Sequence, residues 1–454
     1  MANIDFQVEK SRSWDRDISE IKMNVDIKNL IYFLNSFLEI LKNWWWLPLP
    51  FIFWKPFSFL WLWWRQGVWL EKIKWVMLEI KLPEETLKPI KAMESIFSSL
   101  WTTYYPPNWK EKWFQGQHLL TLSFEIAAID GIPHFYIRCP DFHRNLVESS
   151  IYAQYPDVEI QETPDYTKNV PQNIPNREWD IWGCDMILLK DDPYPIRTYK
   201  EFEPEGERIT KEEKRIDPMA NLLESLGKLK EGEQMWIQIM VKPITDLEND
   251  WVKEGEKIIQ KIMGRAPAPS LEPFLPYAVK GAGRVLIAGK PLEEAKKLEA
   301  EKLELGALKL SPSELEIAKG VAAKIAKYAF ESNIRFIYLG KKDVFFTPNM
   351  RLALGYFSEF YTQNLNAMKP WGKTITKIQL ILIDRRLYLR KRRLFRNYVM
   401  RKTPLYPRGG GTYVLNTEEL ATLYHFPSRI VAPAPTVPRI PAKKGEAPPE
   451  LPVE

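Results

Sequence analysis

Between Trp44 and Trp64 the chain reads WWWLPLPFIFWKPFSFLWLWW, and eleven of these 21 residues are Trp or Phe. A stretch this aromatic asks for burial in a core, a partner or a lipid boundary. Its length suits the ~30 Å hydrocarbon core of a bilayer. Its composition argues against a plain span. Pro48, Pro50 and Pro56 interrupt a helix, and Lys55 costs roughly 2.5–3.5 kcal/mol near the bilayer centre. Tryptophan prefers the headgroup boundary, where the ring is buried and the N–H stays wet.

Just upstream, LIYFLNSFLEIL (Leu30 to Leu41) carries apolar residues at helical spacing, interrupted by Asn35 and Glu39. Residues 28–66 therefore read either as one broken transmembrane helix or as a shallow, interfacial or re-entrant element. On both readings Trp44, Trp45, Trp46, Trp54, Trp61, Trp63 and Trp64 contact lipid. A buried aromatic core or an oligomer interface is the non-membrane alternative. Arg65, Lys72, Lys74 and Lys81 follow the segment closely, against Lys28 and Lys42 before it. That asymmetry places the large C-terminal part in the cytoplasm, and the expected location is the inner (cytoplasmic) membrane.

The rest of the 454 residues is long enough for two or three domains, and 45% apolar content is enough for a core. A net charge of +6 from 64 basic and 58 acidic residues does not by itself indicate a nucleic-acid binder. Cys139 and Cys184 lack zinc-ligand spacing and read as buried free thiols. The first 27 residues are polar, with no cleavable signal pattern.

Strand and helix signals alternate after residue 70. WVMLEIKL (Trp75 to Leu82) has strand composition. Pro89 opens a helix whose Met93, Ile96, Phe97 and Leu100 share a face. In LLTLSFEI (Leu119 to Ile126) Leu120, Leu122, Phe124 and Ile126 alternate with Thr121, Ser123 and Glu125, which predicts a half-buried strand. Asp130-Gly131 marks a hairpin turn, and PHFYIR (Pro133 to Arg138) returns. Asp141 is the expected cap of a second helix, stopped at Pro156, and Val158 to Gln161 forms a short strand. The order β-α-β-β-α-β is the ferredoxin-like pattern.

A second, interrupted copy follows. Ile181 to Lys190 is strand-like, Asp217-Pro218 starts a helix, and Met235 to Val241 alternates. PMANLLESL (Pro218 to Leu226) echoes AMESIFSSL (Ala92 to Leu100). The copy is broken by a helical insertion over 244–330. That insertion includes a helix over Leu247 to Met263, a Pro/Ala-rich linker over Arg265 to Gly283, a charged helix over Leu292 to Leu305 and a capping box at Ser311 to Glu314. Asn333 to Leu339 then resumes a strand and Arg351 to Phe360 a helix. The expected fold is α+β: duplicated ferredoxin-like domains, 67–165 and 166–405, behind the polar N-terminus (1–27) and membrane segment. Residues 406–454 form a motif and a Pro-rich, extended tail.

Catalytic signals are missing from the sequence. Gly283 to Pro291 (GRVLIAGKP) has the wrong glycine spacing for a phosphate loop, and Pro291 stands where a magnesium-ligating hydroxyl is needed. His118, His134, His143 and His425 form no metal motif, and no Gly-x-Ser-x-Gly elbow occurs. No cofactor, metal or catalytic residue is expected, and the protein is read as a non-enzyme. One run stands out: RRLYLRKRRLFRNYVMRK (Arg385 to Lys402) holds nine Lys or Arg, no acid, and Tyr388, Phe395 and Tyr398. Its Arg385, Arg386, Arg390, Lys391, Arg392, Arg393 and Arg396 are candidates for contact with nucleic-acid phosphates or anionic headgroups, the alternative being a solvated or partner-facing surface.

Three stretches carry a resemblance: Trp75 to Phe97 (WVMLEIKLPEETLKPIKAMESIF), Glu148 to Glu162 (ESSIYAQYPDVEIQE) and Val414 to Ser428 (VLNTEELATLYHFPS), the last followed by Lys443 to Pro452. WIQIMVKP (Trp236 to Pro243) and IRFIYLGKK (Ile334 to Lys342) fit it too. Together they resemble an uncharacterised membrane-linked domain of candidate-phylum bacteria that often precedes the ATPase domain of conjugative, coupling-protein-like DNA-translocating motors. The resemblance implies a bacterial, membrane-anchored accessory subunit of a type IV secretion-like or conjugation machine, or half of a split motor. Its expected partners are membrane lipid, a motor ATPase, nucleic acid and further copies of itself. A general membrane scaffold without a motor is the rival expectation. No catalytic residue carries over.

Overall fold

A computed structural model of the chain describes residues 49–83, 88–202, 217–263, 311–379, 382–403, 410–427 and 439–440, with Tyr32, Asn35, Ser36, Glu39 and Lys42. The expected polar N-terminus, Trp44, Trp45, Trp46, the Gly283 region, the 292–305 helix and most of the Pro-rich tail lie outside the described residues. The chain forms two compact units. One comprises Met1–Lys72 and Pro107–His118, the other Ile73–Pro106 and Leu119–Glu454.

In the first unit, α1 (Leu49–Glu71) is one helix of 23 residues with Pro56 inside it. Pro50 and Pro56 therefore do not interrupt it as expected. Pro50 falls in the first turn, where no intrahelical N–H bond is lost. Among the described residues no helix is long and apolar enough to cross a membrane. The charges of Lys55 and Arg65, and the modest hydropathy of Trp, keep α1 below that level.

The second unit is a mixed α/β layer structure of the α+β class. Its strands are β1 (Trp75–Pro83), β2 (Leu122–Ile129), β3 (Ile132–Pro140), β4 (Glu159–Glu162), β5 (Trp179–Leu188), β6 (Glu233–Ile244), β7 (Ala329–Lys341), β8 (Met368–Pro370), β9 (Tyr413–Asn416) and β10 (Arg439–Ile440). They run in the order β10-β1-β3-β2-β6-β7-β5-β8, with β4 on β1 and β9 on β7. All pairings are antiparallel except β1 with β10. The longest ladder joins β6 to β7, from Glu233↔Gly340 to Ile244↔Ala329.

Besides a single helical turn at Tyr199–Phe202, the helices among the described residues are α2 (Lys91–Leu100), α3 (Arg144–Gln154), α4 (Pro218–Leu226), α5 (Trp251–Ile262), α6 (Pro312–Ile325), α7 (Met350–Ser358), α8 (Ile383–Val399) and α9 (Thr417–Leu423). On one sheet face α2, α3, α4, α7 and α9 bury Met93, Ile96, Phe97, Val147, Leu222, Leu223, Tyr356 and Leu420 against Leu122, Phe124, Ile126, Met235, Ile237 and Ile239. Asp217 caps α4 by accepting from the Met219 N–H at 2.8 Å. Ser311 and Glu314 close the capping box of α6, as their spacing predicts. Asp141 departs from expectation: Asp141–His143 is a 3-10 turn ahead of α3 and no side-chain cap forms. The Asp141 carboxylate faces Lys74 at 3.4 Å instead.

The expected half-burial of β2 is also corrected. Ser123 and Glu125, on its polar side, are as buried as the apolar side. The reason is α8, which lays Leu394, Phe395 and Tyr398 on the opposite sheet face with Trp236, Ile181 and Ile337. The motif expected to trail the domains also enters the core. Residues 413–426 are all buried, β9 pairs with β7, and α9 packs on α2.

The β2–β3 turn places Asp130 at φ 51° and Gly131 at φ 82°. A Cβ on Gly131 would lie 2.8 Å from the Leu229 carbonyl oxygen. Gly131→Ala is expected to cost roughly 1–2 kcal/mol for the left-handed backbone alone, measured by urea unfolding. Wild-type stability in that variant would mean the turn relaxes freely.

Candidate functional site

Three features could carry function: the aromatic surface of the first unit, the basic helix α8, and the polar cluster beneath α8.

The first is built on α1. From Phe59 onward one side of the helix faces a loop and the other faces outward. Trp61 Nε1 donates to the Trp113 carbonyl at 2.8 Å, and Arg65 donates to the Phe114 carbonyl. Phe59, Leu60 and Trp63 project the opposite way and are exposed; Trp64 is exposed beside Trp61, with ring centroids 5.5 Å apart and the Arg65 guanidinium 5.5 Å over its ring. Arg65 turns toward the loop while Phe59, Leu60 and Trp63 stay exposed, the reverse of what a soluble amphipathic helix does with such residues. Trp54, Trp63 and Trp64 are 64%, 62% and 53% exposed, whereas Trp61 is partly buried. Of the expected lipid contacts among the described residues, three are presented outward and Trp61 serves mainly to hold the loop.

That loop, Pro107–His118, was not anticipated as part of the surface. Asn108 and Glu111 bond reciprocally, at 2.9 and 3.0 Å, and set up a wide turn over Glu111–Gln115. Gly116 ends the turn at φ 78°, where a Cβ would sit 2.3 Å from the Arg65 carbonyl oxygen. The closure leaves Trp109 and Phe114 edge to face, with ring centroids 5.7 Å apart. They are 66% and 57% exposed. The sequence signal was available in PNWKEKWFQGQH, where aromatic residues alternate with lysines, but nothing in it tied the segment to α1.

On α8, Arg385, Arg386, Arg392, Arg393 and Arg396 are exposed, as their candidacy requires. Arg390 and Lys391 are not. Arg390 donates to the carbonyls of Ile375 at 2.8 Å and Lys377 at 3.2 Å, and Lys391 bonds Asp180 at 2.6 Å. Both hold the helix to the sheet domain. Partial burial, with Arg386 and Arg393 close by, presses the Arg390 guanidinium below its usual pKa. A surface cleft of about 500 Å³ opens beside the helix, lined by Arg177, Lys342 and Arg392 but also by Asp180 and Asp384. With Lys391 also in the lining, four cations face two carboxylates, and the cleft is net basic.

The third feature lies under the C-terminal end of α8. Glu125 accepts from Arg401 through two contacts of 3.0 Å, from Tyr166 at 2.7 Å, Ser123 at 2.6 Å and Gln238 at 3.0 Å. Arg401 also pairs with Asp165. The single Tyr166 proton goes to Glu125, so the Tyr398 hydroxyl, 2.8 Å away, donates to Tyr166. Beside it Arg335 bonds Asp185 at 2.9 Å and the Lys402 carbonyl at 2.8 Å. Burial alone would raise the Glu125 pKa, but Arg401 and the hydroxyl donors outweigh it and hold it below the carboxylate range. Asp165 is lowered by the same balance. Glu125, Asp185 and Arg335 are completely enclosed. The cluster ties Arg401 and Lys402, just past the end of α8, to the sheet. Among the described residues no group of three His, Cys, Asp or Glu could hold a metal ion.

The stretches that carry the resemblance take structural places. Trp75 to Phe97 covers β1 and most of α2, and Glu148 to Glu162 covers the C-terminal part of α3 and all of β4. In the third, Asn416 caps α9 in a box with Glu419, and Glu419 pairs with Lys324 at 3.1 Å with both side chains fully enclosed. His425 bonds the Asp217 carboxylate at 2.8 Å, which ties this stretch to the start of α4. The Lys443 to Pro452 stretch lies outside the described residues.

No curated protein matches the chain. A family model described as "Domain of unknown function (DUF8128)" matches residues 71–433, the range that holds nearly all of the sheet domain, the 107–118 loop and α8. With that much of its length matched, the chain belongs to the DUF8128 family.

Proposed function

We propose that this protein is a non-catalytic membrane-surface docking protein, with α1 and the 107–118 loop lying in the lipid interface and the sheet domain serving as the docking body. The observation that carries this reading is the outward display of Trp54, Trp63, Trp64, Trp109 and Phe114 by a helix and a loop that bond one another. Tryptophan rings gain most at the headgroup boundary. A helix with Lys55 and Pro56 suits a bed in that boundary better than the bilayer centre. The docking body is best understood as two ferredoxin-like units. The runs β4-β1-β3-β2 and β8-β5-β7-β6 have the same order, each with two crossover helices, and meet edge to edge through β2 and β6. The resemblance to domains that precede DNA-translocating ATPases supports such a motor as the partner of this body, at the cytoplasmic membrane. A scaffold without a motor is the rival.

Flotation of the full chain with phosphatidylcholine vesicles tests the membrane part. The chain is expected to float. Trp109→Ser/Phe114→Ser is expected to weaken binding roughly tenfold or more, on ~1 kcal/mol for each partly buried ring. A wild-type chain that stays at the bottom of the gradient rejects the reading, and unchanged binding by the double variant removes the loop from it. Capture from bacterial membranes tests the motor part: a translocating ATPase must accompany the full chain, and lipid binding without one leaves the scaffold.

A further inference from the structure

We propose that the outward ridge of α8 is a docking surface for anionic lipid headgroups, a second membrane contact distinct in chemistry from the aromatic surface of α1. The inference rests on the membrane reading above and adds the lipid class.

The helix has two unlike sides. Leu394, Phe395 and Tyr398 are buried on the sheet, and Arg390 and Lys391 are engaged by protein. Opposite them stand Arg385, Leu389, Arg392, Arg393, Arg396 and Met400, at steps of four, three, one, three and four residues. These steps trace one ridge of an α-helix. The four arginines span about 16 Å along the axis. No acidic side chain occurs between Arg385 and Lys402. A ridge of this kind complements a polyanion.

The apolar members choose among polyanions. Leu389 and Met400 are 49% and 47% exposed within the arginine row, and Leu382 and Ile383 are exposed at its start. A nucleic-acid backbone would leave these side chains in water. An anionic bilayer takes both kinds: guanidinium groups at the phosphates and short apolar side chains in the boundary beneath. Tyr388 is the one exposed aromatic ring of the helix, and a stacking platform for bases needs a series.

The test is vesicle flotation with the full chain, using phosphatidylcholine vesicles with and without phosphatidylglycerol, at low and high salt. Wild type is expected to bind the anionic vesicles more tightly, with the excess abolished by salt. Arg385→Gln/Arg392→Gln/Arg396→Gln is expected to lose that excess, by roughly a hundredfold if each arginine contributes about fivefold at the surface, while binding neutral vesicles as wild type does. Leu389→Ser/Met400→Ser should also weaken anionic binding without a change in charge. An unchanged thermal melt shows that the variants are folded. A triple variant that keeps the anionic preference overturns the proposal. So does a ridge whose arginines control retention on duplex DNA while Leu389 and Met400 affect nothing. Failure of wild type on both kinds of vesicle would instead reject the membrane reading itself.

Discussion

Replacing Trp54, Trp63 and Trp64 together by serine is expected to release the protein from phosphatidylcholine vesicles, with affinity falling at least a hundredfold. Each ring is more than half exposed and sits on a helix whose inward side is already committed to the 107–118 loop. Full burial of a large apolar side chain is worth ~1.5–3 kcal/mol. Half of that for three rings amounts to about 3 kcal/mol, or roughly two orders of magnitude in affinity. The sheet domain should unfold in urea as before, since none of the three rings belongs to its cores. Trp61→Phe is the matched control: it removes the hydrogen bond to the Trp113 carbonyl but leaves an aromatic ring, so it tests the loop attachment and not the lipid contact. If the triple serine variant binds vesicles like wild type, the rings are covered by protein. A concentration-dependent loss of dimer in the variant would then identify a second copy as the cover.

The sequence made most of the sheet domain readable because its signals are local. Alternation in Met235 to Val241, the Asp130-Gly131 turn, the Asp217-Pro218 start and the Ser311–Glu314 box each depend on residues a few positions apart, and each is found. Burial set by distant segments was not readable. Glu125 looked like the wet side of a strand because its partner Arg401 lies 276 residues away. The basic run read as one contact surface because the acceptors of Arg390 and Lys391, at Ile375, Lys377 and Asp180, lie outside it. Val414 to Phe426 was legible as a motif but not as a core segment, since its charged Glu418 and Glu419 are neutralised by Lys327 and Lys324 on distant parts of the chain. The candidate site divided likewise: the aromatic composition of α1 was evident, and the loop that completes its surface was separated from it by β1 and α2.

Removing Arg401 is expected to be the most destabilising single change in the sheet domain and to invert its pH dependence. Arg401 sits at φ 50°, just past the end of α8, with its guanidinium between Glu125 and Asp165. Arg401→Met keeps the length of the side chain but leaves Glu125 enclosed without a cation. Breaking a buried pair in this way costs ~3–5 kcal/mol. In the wild type, Glu125 and Asp165 are held below their usual pKa. They therefore contribute stability that is present above the unfolded carboxylate value of ~4 and is lost as pH falls through the lower folded values. In Arg401→Met, burial dominates at Glu125 and its folded pKa rises above the unfolded value, so the strained charge is relieved by protonation. Lowering the pH from about 7 to about 5 should then stabilise the variant while leaving wild type nearly unchanged. Glu125→Gln/Arg401→Met should recover part of the loss at neutral pH, because the uncompensated charge is gone. Urea titrations at the two pH values decide the matter. A loss below ~1 kcal/mol, or equal pH slopes for the two proteins, would show that Glu125 reaches water or another cation once Arg401 is gone, and that the apolar face of α8 with Arg390 and Lys391 holds the helix without it.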